Sequence, residues 1–476
     1  MGGSLFIGGH WVDTADHVEV TNPADGQVVG EVSRAGAAET AAAVDAAWRA
    51  WPDWRRTPAD RRADLLRRVT ELMYDHQEEL AHLLTSEQGK PLSDARGEII
   101  GSAELFRWYA EEGRRVHGEV LPAPGPDRRF WVWPEPIGVV GVITPWNYPC
   151  LTVARKVAAA LAAGCTVVIK PALLTPLSAV ALARLAEEAG LPAGTVNLVT
   201  GPSSEIGPVL MSRPEVRKIT FTGSTEVGRQ LMREAAATIK SLSLELGGHA
   251  PLVVFADADL DRAVAGAVTA RFRSSGQICH SANRIYVERS VLGEFSQRFA
   301  AAVAALKVAP GNQPGAQIGP LIDAAAVDRA DRHVRDAVAL GARVLTGGRR
   351  PTEEPLDRGT FYLPTVLADC DHRMVVTREE TFGPVAPVIA FDTEEEAVAL
   401  ANDTSYGLAA YLFTRDLGRA VRVAEALEAG IIGLNDARAS WTYTPFGGIK
   451  ESGFGREGGH WGIEEFLTVK SVAVTL

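Results

Sequence analysis

The chain of 476 residues has only four cysteines, Cys150, Cys165, Cys279 and Cys370, scattered without paired or metal-ligand spacing. That spread gives no support to a disulfide framework or a zinc site. Positive charge is also short. The formal net charge of −11 argues against a nucleic-acid or anionic-membrane surface, while leaving room for a local basic pocket that receives a small anion. No uninterrupted apolar run is long enough to span a bilayer, and the N-terminus lacks the basic-then-apolar layout of a signal peptide. Reduced thiols and a cytoplasmic location are expected, with no nucleic-acid or membrane partner. Internal repeats and low-complexity linkers are missing too. What is there, 46% hydrophobic and 22% charged residues over a length beyond one ordinary domain, describes a globular chain of two or three domains.

Leu5-Phe6-Ile7 and His10-Trp11-Val12 flank Gly8-Gly9, a pair able to adopt the positive φ angles of a tight hairpin turn. Leu65, Leu66, Val69, Leu72, Met73, Leu80, Leu83 and Leu84 recur at helical spacing and predict one long amphipathic helix over residues 59–86. From 138 to 245, short β-branched runs at 139–144, 166–169, 196–199 and 219–222 alternate with Ala/Leu/Glu-rich helix formers. That alternation implies a parallel sheet covered on both faces. A second such unit starts at 251–255, with Ala256-Asp257-Ala258-Asp259 leading into a helix that ends before Cys279. Two further stretches, 129–133 and 467–474, alternate as strands do and expose apolar faces that a monomer leaves uncovered. Both suggest pairing with a neighbouring subunit.

Cys279 follows Ser275-Gly276-Gln277-Ile278, a small, turn-forming run that presents a thiol to a cleft rather than to a core. A thiol acts as a nucleophile only with a base and an oxyanion donor at hand. Glu245, in Ser243-Leu244-Glu245-Leu246-Gly247-Gly248, and Asn147, in Thr144-Pro145-Trp146-Asn147-Tyr148-Pro149, are the candidates. Cysteine, glutamate and asparagine in these three contexts resemble the aldehyde dehydrogenase superfamily. The resemblance runs from Asn22-Pro23-Ala24-Asp25-Gly26 to the C-terminal strand. Phe272-Arg273-Ser274-Ser275-Gly276-Gln277, Ser281-Ala282-Asn283-Arg284 and Pro445-Phe446-Gly447-Gly448-Ile449-Lys450 look most like its succinate-semialdehyde dehydrogenase branch.

The resemblance implies an α/β fold with two Rossmann-like parallel-sheet domains and a small β oligomerisation ribbon. Residues 1–117 and 138–246 form the NAD(P)-binding domain, 247–445 the catalytic domain, and 118–137 with 446–476 the oligomerisation and bridging segments of a homodimer or homotetramer. Hydride leaves an aldehyde carbon only after a nucleophile has made it tetrahedral, and the resemblance assigns that nucleophile to Cys279. It assigns the base that activates water against the resulting thioester to Glu245, and the oxyanion donors to Asn147 and the Cys279 backbone N–H. His249 stands where many relatives have lysine or asparagine. A coenzyme-A-dependent exchange reaction is disfavoured by Glu245, which acyl transfer to a thiol does not need. A non-catalytic scaffold is disfavoured by the intact Cys279, Glu245, Asn147 and Lys170 set.

Gly223-Ser224-Thr225-Glu226-Val227-Gly228 follows a strand and opens a helix on which Val227, Leu231, Ala235 and Ile239 share a face. Such a turn offers unpaired N–H groups to a phosphate, although Thr225 replaces the middle glycine of the common dinucleotide fingerprint. By resemblance, Thr144, Trp146, Lys170, Pro171, Gly223, Ser224, Glu380 and Phe382 complete the NAD or NADP site. Leu173 stands where NAD-preferring relatives often carry glutamate, so nothing there repels a 2′-phosphate and NADP is expected to be accepted. Arg155 and Arg273 match positions resembling the carboxylate clamp of the semialdehyde branch, where guanidinium groups hold a carboxylate by paired hydrogen bonds, and Ser440 is a further substrate-binding candidate. Arg155 also matches lactaldehyde-type relatives, and Arg438 and Trp441 depart from the semialdehyde pattern, which keeps a hydroxylated or sugar-derived aldehyde open. His280 and Ser281 replace a second cysteine found in some relatives, so no redox disulfide with Cys279 is expected.

Overall fold

The computed structural model describes residues 2–3, 5–438 and 440–476. Its largest sheet has eight strands, ordered Gly453–Phe454, Ser241–Glu245, Val216–Thr222, Val139–Ile143, Thr166–Lys170, Val196–Leu198, Leu5–Ile7 and His10–Val12. The five central strands run parallel, and the flanking ones are antiparallel. The chain winds one way from Val139–Ile143 and later returns on its other side with Val216–Thr222. The carboxyl ends of these two strands therefore form a topological switch point, the place where open α/β sheets bind ligands. Thr144 to Asn147 and Gly223 to Ser224 emerge there.

The second sheet has seven strands in the order Arg343–Thr346, Thr365–Ala368, Val385–Phe391, Ala282–Glu288, Ala250–Val254, Ala409–Phe413 and Ile431–Leu434, parallel except for the first. Helices cover both sheets, giving the two Rossmann-like layers expected. A three-stranded antiparallel ribbon joins Glu119–Leu121, Arg128–Pro136 and Leu467–Thr475. On it Val120 is 72% and Val469 78% exposed, apolar area that a stable surface rarely leaves bare.

The alanine-rich helix Leu151–Ala163 is buried along nearly its whole length, and it stops at Gly164 with φ 97°. The Gly8-Gly9 hairpin turn forms with φ values of 61° and 84°, as expected for a type I′ turn.

Two expectations need correction. The helix predicted over 59–86 is two helices, Ala59–Asp75 and Gln77–Gln88, broken at His76 with φ −99° and ψ 14°. The polar Asp75-His76-Gln77 step carries no packing residue, so a change of direction there leaves Leu72, Met73, Leu80 and Leu84 in one core. Ile239 does not share a helical face with Leu231 and Ala235. That helix spans Thr225–Ala235, and Ile239 lies beyond it with φ 53° and 92% exposure. The chain must turn back there to enter Ser241–Glu245, and the Thr238 and Lys240 N–H groups both donate to the Ala235 carbonyl in doing so. Val227 is also largely exposed.

Candidate active site

Cys279 is aimed by a left-handed turn. The helix Leu260–Phe272 gives way to Ser274, Ser275 and Gly276 with successive φ values of 48°, 60° and 76°, an unfavourable run for two serines. Its neighbours hold it. The Ser274 N–H donates to Asp94 Oδ2 at 3.0 Å, Ser275 Oγ donates to the Gly319 carbonyl at 2.9 Å, and Gln277 Oε1 accepts from the Ile322 N–H at 2.9 Å. A Cβ on Gly276 would stand 2.4 Å from the Gly383 carbonyl oxygen, so only glycine fits. Beneath the turn, buried Arg271 donates to the Gly383 and Val385 carbonyls at 2.5 and 2.7 Å.

Cys279 emerges half-buried on a cleft of about 810 Å³ that Asn147, Arg155, Arg273, Glu380, Phe382 and Ser440 also line. Burial, together with the Glu380 and Glu245 carboxylates, pushes the thiol up to about 12, while Arg155 and the His280 backbone N–H pull it down. At rest the sulfur is therefore protonated.

Glu245 ends the strand Ser241–Glu245. It is buried, and neither carboxylate oxygen has a hydrogen-bond partner among the described residues. Burial and the Glu457 charge raise its carboxyl well above the usual range, against the pull of Lys156, Arg155 and Arg456. Glycines bring its segment to the thiol loop. A Cβ on Gly248 would lie 2.3 Å from the Cys279 carbonyl oxygen, and one on Gly447 would lie 2.8 Å from Glu245 Oε1.

Asn147 is buried on the turn after Val139–Ile143. Its Nδ2 donates to the Gln277 carbonyl at 2.9 Å, which leaves its second N–H uncommitted. Lys90 Nζ donates to the Asn147 carbonyl at 2.7 Å and to Glu98 at 2.6 Å, and lies 3.8 Å over the Tyr148 ring. The Asn147 turn is thus fixed from below.

The cleft mouth is basic. Arg155 reaches Glu457 at 3.7 Å and Ser440 Oγ at 3.5 Å, and its guanidinium stacks 4.4 Å over Phe446. Arg273 Nη2 lies 3.4 Å from His280 Nε2, and its Nε is buried without a partner among the described residues. Arg438 and Trp441 line the same space. Ala439, between Arg438 and Ser440, lies outside the described residues.

A sequence profile of the aldehyde dehydrogenase family matches residues 11–472. The chain belongs to that family. It is 50% identical to a glutarate-semialdehyde dehydrogenase of Pseudomonas putida, over 99% of this chain and 97% of that one. It is also 50% identical to a succinate-semialdehyde dehydrogenase of Escherichia coli strain K12 named for NADP(+), over 99% and 97%, and 49% identical to a 3-sulfolactaldehyde dehydrogenase of Pseudomonas putida, over 98% and 96%. The crystal structure of succinate-semialdehyde dehydrogenase from Burkholderia pseudomallei superposes with a TM-score of 0.97 at 50% identity, covering 100% of this chain and 98% of that one.

As an aldehyde dehydrogenase the protein oxidises an aldehyde with a nicotinamide cofactor, and the residues at the switch point fit such a group. Thr222, Gly223 and Ser224 line the cleft at the start of the helix Thr225–Ala235, where Ser224 Oγ accepts from the Val227 N–H at 3.4 Å. The Trp146 and Phe382 rings meet edge to face at 5.4 Å. Glu380 accepts from the Gly248 N–H at 3.3 Å, and burial pushes its carboxyl up to about 7. Lys170 is buried with one acceptor, the Pro171 carbonyl at 3.2 Å, and desolvation brings its ammonium down to about 8. Two of its three N–H donors are left for a ligand hydroxyl. Thr144, Lys170, Pro171 and Leu173 do not wall the cleft itself but stand at the adjoining strand ends, where the Thr144 N–H donates to the Lys170 carbonyl at 3.2 Å. No helix among the described residues is long and apolar enough to cross a membrane.

Sequence reasoning missed Glu457, Lys90 and Asp94. Glu457 sits in the glycine-rich Gly455-Arg456-Glu457-Gly458-Gly459 run, which is the one signal that pointed toward it. Lys90 and Asp94 carry no local signal.

Proposed function

We propose that this aldehyde dehydrogenase oxidises a short aldehyde bearing a remote anionic group, of the succinic or glutaric semialdehyde class, to the carboxylic acid. The observation that carries the reading is the placement of Cys279 in one cleft with Arg155 and Arg273. The guanidinium groups fix the anion and leave the aldehyde carbon for the thiol. Cys279 gives up its thiol proton to solvent in the cleft and adds to that carbon as the thiolate, and the developing oxyanion takes hydrogen bonds from the free Asn147 N–H and the Cys279 backbone. Lys170, Glu380, the Gly223-Ser224 turn and the Trp146 and Phe382 rings would hold NADP or NAD, which would supply the hydride acceptor. Glu245, with neither oxygen partnered among the described residues, takes a proton from the water that cleaves the Cys279 thioester.

A hydroxylated or sulfonated short aldehyde is the second reading. It is supported by Arg438 and Trp441 in the mouth and by the similarity to a 3-sulfolactaldehyde dehydrogenase. It keeps the same chemistry at Cys279.

Residues 1–117 and 138–246 are assigned to cofactor binding, 247–445 to catalysis, and the exposed ribbon with 446–476 to assembly as a homodimer or homotetramer. All four cysteines are free, which supports a reducing compartment such as the cytoplasm.

The test is NADP and NAD reduction by the purified protein with succinic, glutaric and sulfonated aldehydes, lactaldehyde and an uncharged aliphatic aldehyde. A preference of at least tenfold in kcat/KM for the semialdehydes, worth about 1.4 kcal/mol, is expected. Equal use of the uncharged aldehyde would overturn the anionic assignment.

A further inference from the structure

We infer that His280, which no step above uses, donates a hydrogen bond to the Cys279 sulfur, and that Arg273 sets the ring tautomer that makes this donation. The inference rests on the assignment of Cys279 as the nucleophile.

The geometry carries it. The Arg273 Nη2 lies 3.4 Å from His280 Nε2, and His280 Nδ1 lies 3.7 Å from Cys279 Sγ, within reach for a hydrogen bond to sulfur. A guanidinium has only donors, so the ring nitrogen that meets it must be the acceptor. In a neutral imidazole the proton then resides on Nδ1, the nitrogen facing the thiol. Phe446 meets the ring edge to face at 5.8 Å, and Tyr411 Oη holds the His280 backbone by donating to its carbonyl at 2.8 Å.

The imidazole stays neutral through the working range. Burial, followed by the Arg273 and Arg155 charges, brings it down to about 3. It is therefore a fixed neutral donor and not the imidazolium of a thiolate–imidazolium pair. Its effect on the thiol has a definite sign. The groups that face the sulfur are Glu380 and Glu245, which raise its pKa, and Arg155 and the His280 backbone N–H, which lower it. Asp94 and Tyr148 face Arg273, and Tyr411 faces both Arg273 and the thiol. A donor to the sulfur favours thiolate over thiol, so His280 works against the two carboxylates and against burial. Arg273 acts through the ring and is a positioning residue in this role, besides its place at the cleft mouth.

The test is the rate of Cys279 alkylation by iodoacetamide in the free enzyme across neutral to alkaline pH, followed by mass. It needs no aldehyde and no cofactor. His280→Leu removes the donor, and the rate at neutral pH is expected to fall about three- to tenfold, the lower figure allowing for the greater nucleophilicity of a more basic thiolate. His280→Asn places an amide N–H near the position of Nδ1 and is expected to restore most of the rate. Arg273→Met releases the tautomer and is expected to slow alkylation less than His280→Leu does; should His280→Leu misfold, this variant carries the test. An unchanged rate in His280→Leu, or no recovery in His280→Asn, overturns the inference. Full turnover by Cys279→Ala would instead overturn the reaction assigned above, so the two failures are distinguishable.

Discussion

The Arg155 guanidinium stands 3.7 Å from the Glu457 carboxylate, and the same carboxylate binds Lys156. The arginine offered to a substrate anion is thus already partly neutralised, and it is held in place by Phe446 beneath it. An anion that binds here competes with a fixed carboxylate rather than with water alone, which favours a ligand able to take paired hydrogen bonds.

Arg155→Ala should therefore act on binding. Charge-assisted hydrogen bonds contribute about 1.5–3 kcal/mol, so KM for succinic semialdehyde is expected to rise roughly 10- to 100-fold with kcat little changed. An uncharged aldehyde of similar length should lose little. Steady-state kinetics on the pair of substrates checks this, and equal losses for both would mean that Arg155 serves the structure of the cleft and not recognition of the anion.

Glu457→Gln removes the counter-charge of Lys156, whose side chain is wholly buried. Leaving one buried charge unpaired typically costs about 3–5 kcal/mol, to be read from urea denaturation. The same change acts on Glu245. Burial and then the Glu457 charge raise the Glu245 pKa, and a protonated carboxyl cannot take a proton from water. Activity limited by this base rises as pH rises through its pKa. Removing the Glu457 charge lowers that pKa, so the acid limb of the thioester-hydrolysis profile should move to lower pH. A limb that stayed in place would show that Glu457 does not govern Glu245.

Glu245→Gln and Asn147→Ala should separate the two halves of the reaction. Without a base, acylation proceeds but hydrolysis slows by about 10²- to 10⁴-fold. Rapid mixing should then show one equivalent of reduced cofactor followed by a stall. Without the Asn147 amide the first step loses an oxyanion donor, and the pre-steady-state rate should fall by about 10²- to 10³-fold. A burst of wild-type rate in Asn147→Ala would place the oxyanion elsewhere.

Cys279, Glu245 and Asn147 could be singled out as candidates because each lies in a distinctive short run: small residues before Cys279, a glycine pair after Glu245, a proline-bounded turn around Asn147. The parallel sheets were legible for a similar reason, since buried β-branched runs such as Thr166–Lys170 need no partner to be recognised. Glu457 was not, because it meets Lys156 across 301 positions of chain and no local pattern encodes that meeting. Periodicity also ran past the break at His76. Apolar spacing continues on both sides of it, and only the packing of the second helix shows the change of direction. Ile239 failed for the opposite reason, as a residue at helical spacing stranded beyond the helix by the turn into the next strand.

Leu173→Glu tests whether position 173 sets the choice between the two nicotinamide cofactors. Leu173 stands half-buried just beyond Lys170, at the strand ends beside the switch point. Lys170 retains two donors and its ammonium is partly desolvated, so a ribose phosphate bound there would meet a nearby cation and no carboxylate from position 173. The substitution reverses this. A like charge brought against the 2′-phosphate costs several kcal/mol where desolvated, and even a partly exposed pairing should weaken NADP by at least about tenfold. NAD, with a free hydroxyl for the new carboxylate to accept from, should bind as well as before or better. The cofactor ratio in kcat/KM, measured at one saturating aldehyde concentration, is therefore expected to swing toward NAD. An unchanged ratio would mean that the adenosine ribose does not face Leu173, and the cofactor preference would have to be sought on another element of the cleft.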